Sequence, residues 1–160
     1  MTIAQVMCEI ADKLLEQGES DLEAAGEVYE LLSVSLDRLD SETDSYLILA
    51  QFTALALKTE GIEPVVDECV LCSNTQVQTI SVEDGGFLCA ECAAMVHARP
   101  MEVGALKRFR LINKAQLVHF AQLRPYGPWT KKDAELLVEF LMLHSGVKLE
   151  SWRFLDRLAN

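Results

Sequence analysis

The sequence predicts a mainly α protein, a helical bundle with one small β-hairpin inserted near its middle. Three observations lead to this fold class. Apolar residues recur at helical spacing over most of the 160 residues, one short central segment alternates as a strand does, and that segment lies between two C-x-x-C pairs. A chain of this length is large enough for one domain with its own core.

The first two helices are predicted from capping and periodicity. Thr2 and Gln5 form a capping-box pattern, after which apolar residues recur from Ile3 to Leu14. Gly18 is placed to end this helix, and either Ser20 or Asp21 can cap the second one. The second helix carries apolar residues at helical spacing as far as about residues 38–39.

A third helix is predicted from about Ser45. Its sequence Y-L-I-L-A-Q-F-T-A-L-A-L is apolar on nearly every face, which is typical of a helix at the centre of a bundle. Gly61 and Pro64 end it. The run Tyr46–Leu57 is also the longest nearly apolar stretch, and it is far shorter than the roughly 20 residues that span a bilayer. We therefore expect no membrane segment.

The hairpin is predicted between the two cysteine pairs. The alternating Q-V-Q-T-I-S-V indicates a first strand, E-D-G-G a turn, and F-L-C a second strand. After Cys92 the helical pattern returns, with a break at Pro100. The remaining predicted pieces are helices over Val103–Leu111 and Ala115–Leu123, a rigid R-P-Y-G-P turn, a helix capped by Thr130 and Asp133 that ends near Gly146, and a final helix S-W-R-F-L-D-R-L.

These elements predict one compact domain with an insert. The first part of the bundle covers residues 1–66, the cysteine insert residues 67–95, and the second part of the bundle residues 96–160.

Charge is distributed unevenly along the chain. The net charge is −11, but residues 1–68 carry 16 acidic against three basic side chains, whereas residues 69–160 carry nine against 11. The first half is therefore an unfavourable ligand for a phosphate backbone, which binds through cationic side chains. The N-terminus lacks a basic region followed by an apolar one, so we expect a cytoplasmic protein with reduced cysteines.

Cys69, Cys72, Cys89 and Cys92 form two C-x-x-C pairs separated by 16 residues. Two such pairs joined by a hairpin bring four sulfurs to one point, and Zn²⁺ prefers tetrahedral thiolate ligation. We expect one structural zinc ion in a zinc-ribbon-like insert, since four thiolates leave no open position for substrate. Ordinary buried cysteines, an iron–sulfur cluster and replacement of one sulfur by His97 are the alternatives.

No other residues suggest catalysis. Cys8 falls on the apolar side of the first helix and is interpreted as a small core residue. His119 and His144 lie within helical patterns without a nucleophile at a telling spacing, and no glycine-rich phosphate loop is present. We expect neither an enzyme nor a small-molecule substrate.

Several segments around the insert resemble one family. Four segments carry the resemblance: C-E-I-A-D-K-L-L-E-Q-G-E, V-Y-E-L-L, T-E-G-I-E-P-V-V-D-E-C-V-L-C and, at the C-terminus, H-S-G-V-K-L-E-S-W-R-F-L-D-R-L. Together they resemble the helical domain of the bacterial DNA repair protein RecO family. The resemblance runs from about Val6 to Leu158. RecO proteins normally begin with an OB-fold, so the chain is similar to the C-terminal portion of that family. Glu150 and Trp152 stand where the family tends to carry basic residues.

The resemblance implies a recombination mediator that is not an enzyme. Such proteins act on single-strand-binding protein (SSB), work with a partner called RecR and aid RecA loading or strand annealing. For this chain it implies a zinc-stabilised helical platform that docks a RecR-like protein and the SSB tail and binds DNA weakly by itself. A stand-alone zinc-ribbon adaptor or nucleic-acid-binding regulator is the alternative.

The most cationic stretch is the candidate partner surface. It contains Lys107, Arg108, Phe109, Arg110 and Lys114. These residues fit a pocket for an acidic, aromatic-ended tail, or phosphate contacts with DNA. They also fit a solvated helix face with Phe109 in the core.

Overall fold

The computed structural model describes residues 2–17 and 22–158. The helices are α1 (Ile3–Gln17), α2 (Leu22–Ser41), α3 (Ser45–Thr59), α4 (Ala90–Met95), α5 (Val103–Lys114), α6 (Phe120–Leu123), α7 (Lys131–Ser145) and α8 (Glu150–Leu158), and the strands are β1 (Val77–Ser81) and β2 (Gly86–Cys89). The mainly α architecture with one hairpin is confirmed. The predicted stop at Gly18 and the caps at Ser20 or Asp21 lie outside the described residues.

Helix α1 begins as its capping pattern predicts. The Thr2 backbone N–H donates to Gln5 Oε1 at 2.7 Å, and the Gln5 N–H donates to Thr2 Oγ1 at 3.4 Å. The buried stripe of α1 consists of Val6, Met7, Ile10, Ala11 and Leu14. Cys8 is exposed, contrary to the interpretation as a core residue, because it falls outside that stripe when the helix is wound at 3.6 residues per turn.

Helix α3 lies at the centre of the bundle, as its apolar sequence predicts. All of its side chains from Leu47 to Ala54 are buried, together with Ala56 and Leu57. It packs against α1, α2, α5, α6 and α7. The core thus surrounds one helix and draws on the chain both before and after the hairpin, while the exact domain boundaries stay a prediction.

The second part of the bundle differs from the expectation in detail. Helix α5 continues to Lys114 because Ile112, beyond the predicted end, is buried in the core. The segment after it forms short pieces instead of one helix: 3-10 turns at Leu117–His119 and Arg124–Tyr126 flank α6. Helix α7 has the predicted capping box and ends at Gly146, whose φ of 75° forms a left-handed cap.

The hairpin is antiparallel and joins the main core. Thr79 pairs with Leu88 and Ile80 with Phe87, and a bulge lies between Val77 and Thr79. The side chains of Ile80 and Phe87 are buried in the same cluster as the bundle helices. The insert is therefore packed onto the bundle.

Helix α8 packs against α1 through an acceptor on the first helix. Glu9 accepts hydrogen bonds from the backbone N–H groups of Glu150 and Ser151, each at 2.9 Å, and from the Ser151 hydroxyl. Trp152 is 3% exposed and so belongs to the core. Within the described ranges, no helix has the length and apolar character needed to cross a bilayer.

Candidate metal centre

The four predicted cysteines lie at one point of the structure. Their Sγ atoms are all within 4.8 Å of one another, and those of Cys72 and Cys89 are 3.6 Å apart. Cys69, Cys89 and Cys92 are buried, whereas Cys72 is exposed. The fold therefore brings together two knuckles separated by a hairpin, and this cluster could bind a metal ion.

The first knuckle is a tight turn that aims Cys69 and Cys72 at the same point. The Ser73 N–H donates to the Cys69 carbonyl at 2.8 Å, and the Cys69 N–H donates to the Asn74 carbonyl at 2.8 Å. Ser73 adopts a φ of 59° to close this turn, and its hydroxyl donates to Glu68 Oε1 at 2.9 Å. The backbone is thus held on both sides of the first pair.

The second knuckle is built from a strand-to-helix junction. Cys89 is the last residue of β2 and the residue that precedes α4, and Cys92 lies on the first turn of α4. Beyond it, His97 is exposed and lies outside the cluster of four ligand atoms. Among the described residues, no other group of three or more His, Cys, Asp or Glu side chains is placed to hold a metal ion.

The thiols differ in their readiness to ionise. Burial raises the pKa of Cys69, but the backbone N–H groups of Cys89, Leu71 and Cys72 donate to its Sγ, so the pKa falls to about 6. The Cys72 side chain, together with burial and the other two sulfurs, raises the pKa of Cys92 above its usual 9.0. Backbone hydrogen bonds thus favour the thiolate of Cys69, whereas the neighbouring sulfurs oppose ionisation of Cys92. A bound cation would favour the thiolate form of the thiols that coordinate it.

The hairpin that carries the cluster is fixed to the bundle at several points. The Phe87 and Phe109 rings pack with centroids 5.9 Å apart. At the turn after β1, His144 Nε2 lies 2.7 Å from the Val82 carbonyl oxygen, and the His144 ring stacks on Phe140. The hairpin that carries the cysteine cluster is thereby joined to α5 and α7.

The candidate partner stretch lies on α5 beside the hairpin, and most of it is engaged within the chain. Arg108 Nε donates to Asp133 Oδ1 at 2.8 Å in a largely buried pair. Arg110 pairs with Asp67 at 2.6 Å, and Lys114 pairs with the other oxygen of the same carboxylate. These pairs join α5 to the insert and to α7.

The other two members of that stretch are an aromatic and a base. The Phe109 side chain is 4% exposed and packs in the core, as the solvated-face alternative expects. Lys107 is exposed, and its Nζ lies 5.0 Å from the centre of the Tyr126 ring. A role for the four bases in partner binding stays a prediction, and a partner of Arg110 and Lys114 would compete with Asp67.

Comparison with known proteins gives the family. The family described as "Recombination protein O C terminal" matches residues 1–153. The chain belongs to this family.

Curated relatives agree with that assignment. The chain is 28% identical over 151 residues to the DNA repair protein RecO of Bacillus pumilus, covering 92% of this chain and 59% of the relative. It is 31% identical to RecO of Desulfatibacillum aliphaticivorans, covering 84% of this chain and 55% of the relative, and 31% identical to RecO of Anaeromyxobacter sp. strain K, covering 93% and 60%. The chain thus spans between 55% and 60% of the length of these relatives.

Proposed function

We propose that this chain is a non-enzymatic part of a recombination mediator in DNA repair, a zinc-stabilised helical platform that docks a RecR-like protein and the SSB tail. The observation that carries the proposal is the family match over residues 1–153, with relatives named DNA repair protein RecO. The metal, the partners and the lack of catalysis are each parts of the proposal.

Zinc fits the geometry of the cysteine cluster. A tetrahedral Zn²⁺ ion with Zn–S bonds of about 2.3 Å separates its sulfurs by about 3.8 Å. The observed separations are at most 4.8 Å, and one is already 3.6 Å. An iron–sulfur cluster places several iron and sulfide atoms between its cysteines and needs a wider arrangement, so the compact set favours a single ion.

A structural role fits the same site better than a catalytic one. Four protein sulfurs complete the tetrahedron, so a bound zinc ion would have no position for water or substrate. His119 and His144, which the sequence does not single out for catalysis, make structural contacts: the ring of His119 accepts from the Gln116 N–H, and His144 bridges α7 to the hairpin. The site would hold the hairpin on the bundle.

Direct binding of purified partners tests the docking role. The chain is immobilised and exposed separately to purified RecR, to SSB and to SSB that lacks its acidic tail. We expect the immobilised chain to retain RecR and intact SSB but not the SSB that lacks its acidic tail. The adaptor alternative would be favoured if the chain retained neither RecR nor either form of SSB and instead recovered ribosomal or polymerase subunits from a bacterial lysate.

A charge-reversal pair tests whether α5 contributes to the tail site. Because exposed ion pairs contribute only about 0–1 kcal/mol each, several bases and one buried aromatic ring of the tail are needed for micromolar affinity. We expect Lys107→Glu/Arg110→Glu to weaken binding of an SSB tail peptide about tenfold, and expect high salt to weaken binding to the unmodified chain.

The matched control changes the same number of charges elsewhere. Lys148 and Arg153 are exposed and line a surface pocket to which no residue of α5 contributes. Lys148→Glu/Arg153→Glu should leave the peptide affinity nearly unchanged. Equal affinity of the chain and the α5 variant would remove α5 from the tail site.

A further inference from the structure

An open groove runs between α2 and α3 on the acidic side of the molecule. Its volume is about 420 Å³. We call it the α2–α3 groove; its lining residues are Glu27, Glu30 and Leu31 of α2, Leu55, Lys58 and Thr59 of α3, and Leu117 of the adjoining 3-10 turn.

The floor of the groove is apolar. Leu31 is buried, and Leu55 and Leu117 are half-buried where they pack against the main core. Apolar side chains that are already held by the core form a preorganised surface, so a ligand can cover them without first ordering them. The groove therefore suits a ligand with apolar side chains of its own.

The rim of the groove is mainly anionic. Glu27 and Glu30 are both exposed, and their spacing places them as neighbours on α2. Within the described parts of the chain, neither forms an ion pair. Lys58 is the one basic residue among those that line the groove, and residues 1–68, to which α2 and α3 belong, carry a charge of −13. This charge attracts a cationic ligand and repels a nucleic acid or an acidic tail.

We infer that the α2–α3 groove docks a basic, amphipathic segment of a partner protein. Apolar side chains of that segment cover Leu31, Leu55 and Leu117, and its Lys or Arg side chains pair with Glu27 and Glu30. The inference is carried by the apolar floor and the unpaired carboxylates together. It does not depend on the proposed RecR and SSB docking, and its ligand charge is opposite to that of the SSB tail.

The test uses a defined probe and the whole chain. The probe is a fluorescent peptide of about 14 residues with leucines at helical spacing and lysines flanking them. Its binding is measured by fluorescence anisotropy. Two control peptides have the lysines replaced by glutamate, or the leucines replaced by serine with the positive charge retained.

Variants of α2 provide the matched comparison. Glu27→Lys/Glu30→Lys reverses two charges at the rim. Asp37→Lys/Asp40→Lys makes the same change, with the same spacing, on exposed residues of the same helix about 15 Å farther along. The neutralising pair Glu27→Gln/Glu30→Gln serves if the reversal disturbs folding, which circular dichroism and thermal unfolding report.

The expected result is specific to the groove. The leucine–lysine peptide binds, both control peptides bind at least about tenfold more weakly, and Glu27→Lys/Glu30→Lys lowers affinity about tenfold. The Asp37→Lys/Asp40→Lys variant changes affinity by less than about twofold, and the glutamine pair gives an intermediate loss. Three results would each overturn the inference. They are an equal loss of affinity in the two charge-reversal variants, binding of the serine control peptide as tight as that of the leucine–lysine peptide, and no binding of the leucine–lysine peptide.

Discussion

Gly86 allows the backbone of the hairpin to pack closely against the backbone of residue 65. A Cβ atom at this position would lie 2.3 Å from the Val65 carbonyl oxygen and 2.8 Å from its nitrogen. This close approach allows the Phe87 N–H to donate to the Val65 carbonyl at 2.9 Å and the Val65 N–H to donate to the Gly85 carbonyl at 3.0 Å. Glycine is therefore required by backbone contact at the start of β2.

Gly86→Ala should accordingly destabilise the protein. We expect a loss of about 2–4 kcal/mol in the free energy of unfolding, because the added methyl group separates the backbone of residue 65 from the hairpin. The control is Gly26→Ala at an exposed position of α2, where a Cβ meets nothing within 4 Å. That change should stabilise by about 0.5–1 kcal/mol. Urea unfolding measures both, and equal stability of the two variants would contradict the close approach.

Glu9 is a second residue whose contacts hold two elements together, because it links α1 to α8. Burial raises its pKa, but hydrogen bonds from Ser151 and Glu150 lower it more, so the net pKa lies below the ordinary 4.5. A carboxyl with a lowered folded-state pKa contributes stability that is present above pH 4.5 and is lost as pH falls through the folded-state value. The attachment of α8 to α1 should weaken in that acidic range.

Glu9→Gln should remove this pH dependence. We expect a loss of about 1–2 kcal/mol at pH 7, since an amide is a weaker acceptor for two N–H groups and a hydroxyl than a carboxylate. As pH falls below the lowered folded-state pKa of Glu9, the stabilities of the variant and the unmodified chain should converge. Asp12→Asn, at an exposed position on the same helix, is the control. Thermal unfolding from pH 3 to 7 measures the effect. A constant difference in stability between the variant and the unmodified chain across that range would exclude titration of Glu9 as its source.

At the scale of the elements, the proposed zinc ion would matter most to the hairpin. Its strands are short, and a two-stranded sheet alone is marginal in water. The cysteine cluster fixes one end, whereas Ile80 and Phe87 fix the other in the core. Loss of the metal should therefore loosen the knuckles first, while α3 keeps its own apolar surroundings.

Cys89→Ser tests this order of dependence. We expect loss of the metal and at least about 3 kcal/mol of stability, because metal binding contributes folding free energy where the site is structural. Hydrogen exchange should increase over residues 65–95 and stay low over residues 45–59. Cys8→Ser, at an exposed position, should change neither the metal content nor the hydrogen exchange. Equal loss of protection in both ranges would mean that the bundle also depends on the metal.

The elements were more predictable than the contacts between them. Helical periodicity and two capping boxes indicated most helices, and alternation indicated the hairpin, because these signals are local. No local pattern indicates the pairing of Asp67 with Arg110 and Lys114, or the link from Glu9 to α8, because these contacts join residues far apart in the chain. Cys8 was misplaced because it lies at the border of a broad apolar stripe.

At the scale of the whole molecule, charge limits the possible partners. The net charge is −11, and three bases of the most cationic stretch pair with acids of the same chain. Few cations are therefore available to displace counterions from a phosphate backbone. We therefore expect this chain to favour protein partners over nucleic acid.

Single-stranded DNA should bind weakly to this chain alone. We expect a dissociation constant well above about 1 µM near physiological salt, measured by anisotropy of a labelled oligonucleotide. Lys107→Glu/Arg110→Glu should abolish any residual binding if α5 provides it. Sub-micromolar affinity at that salt concentration would contradict the charge argument.

The central claim is that one zinc ion, held by the two knuckles, fastens the hairpin to the helical platform. Native mass spectrometry of freshly reduced protein, purified without added metal, tests it most directly, with denatured protein as the reference mass. We predict an excess of one zinc ion per chain that persists in Cys8→Ser and is absent in Cys72→Ser. A chain that carries iron, or no metal at all, would contradict the account.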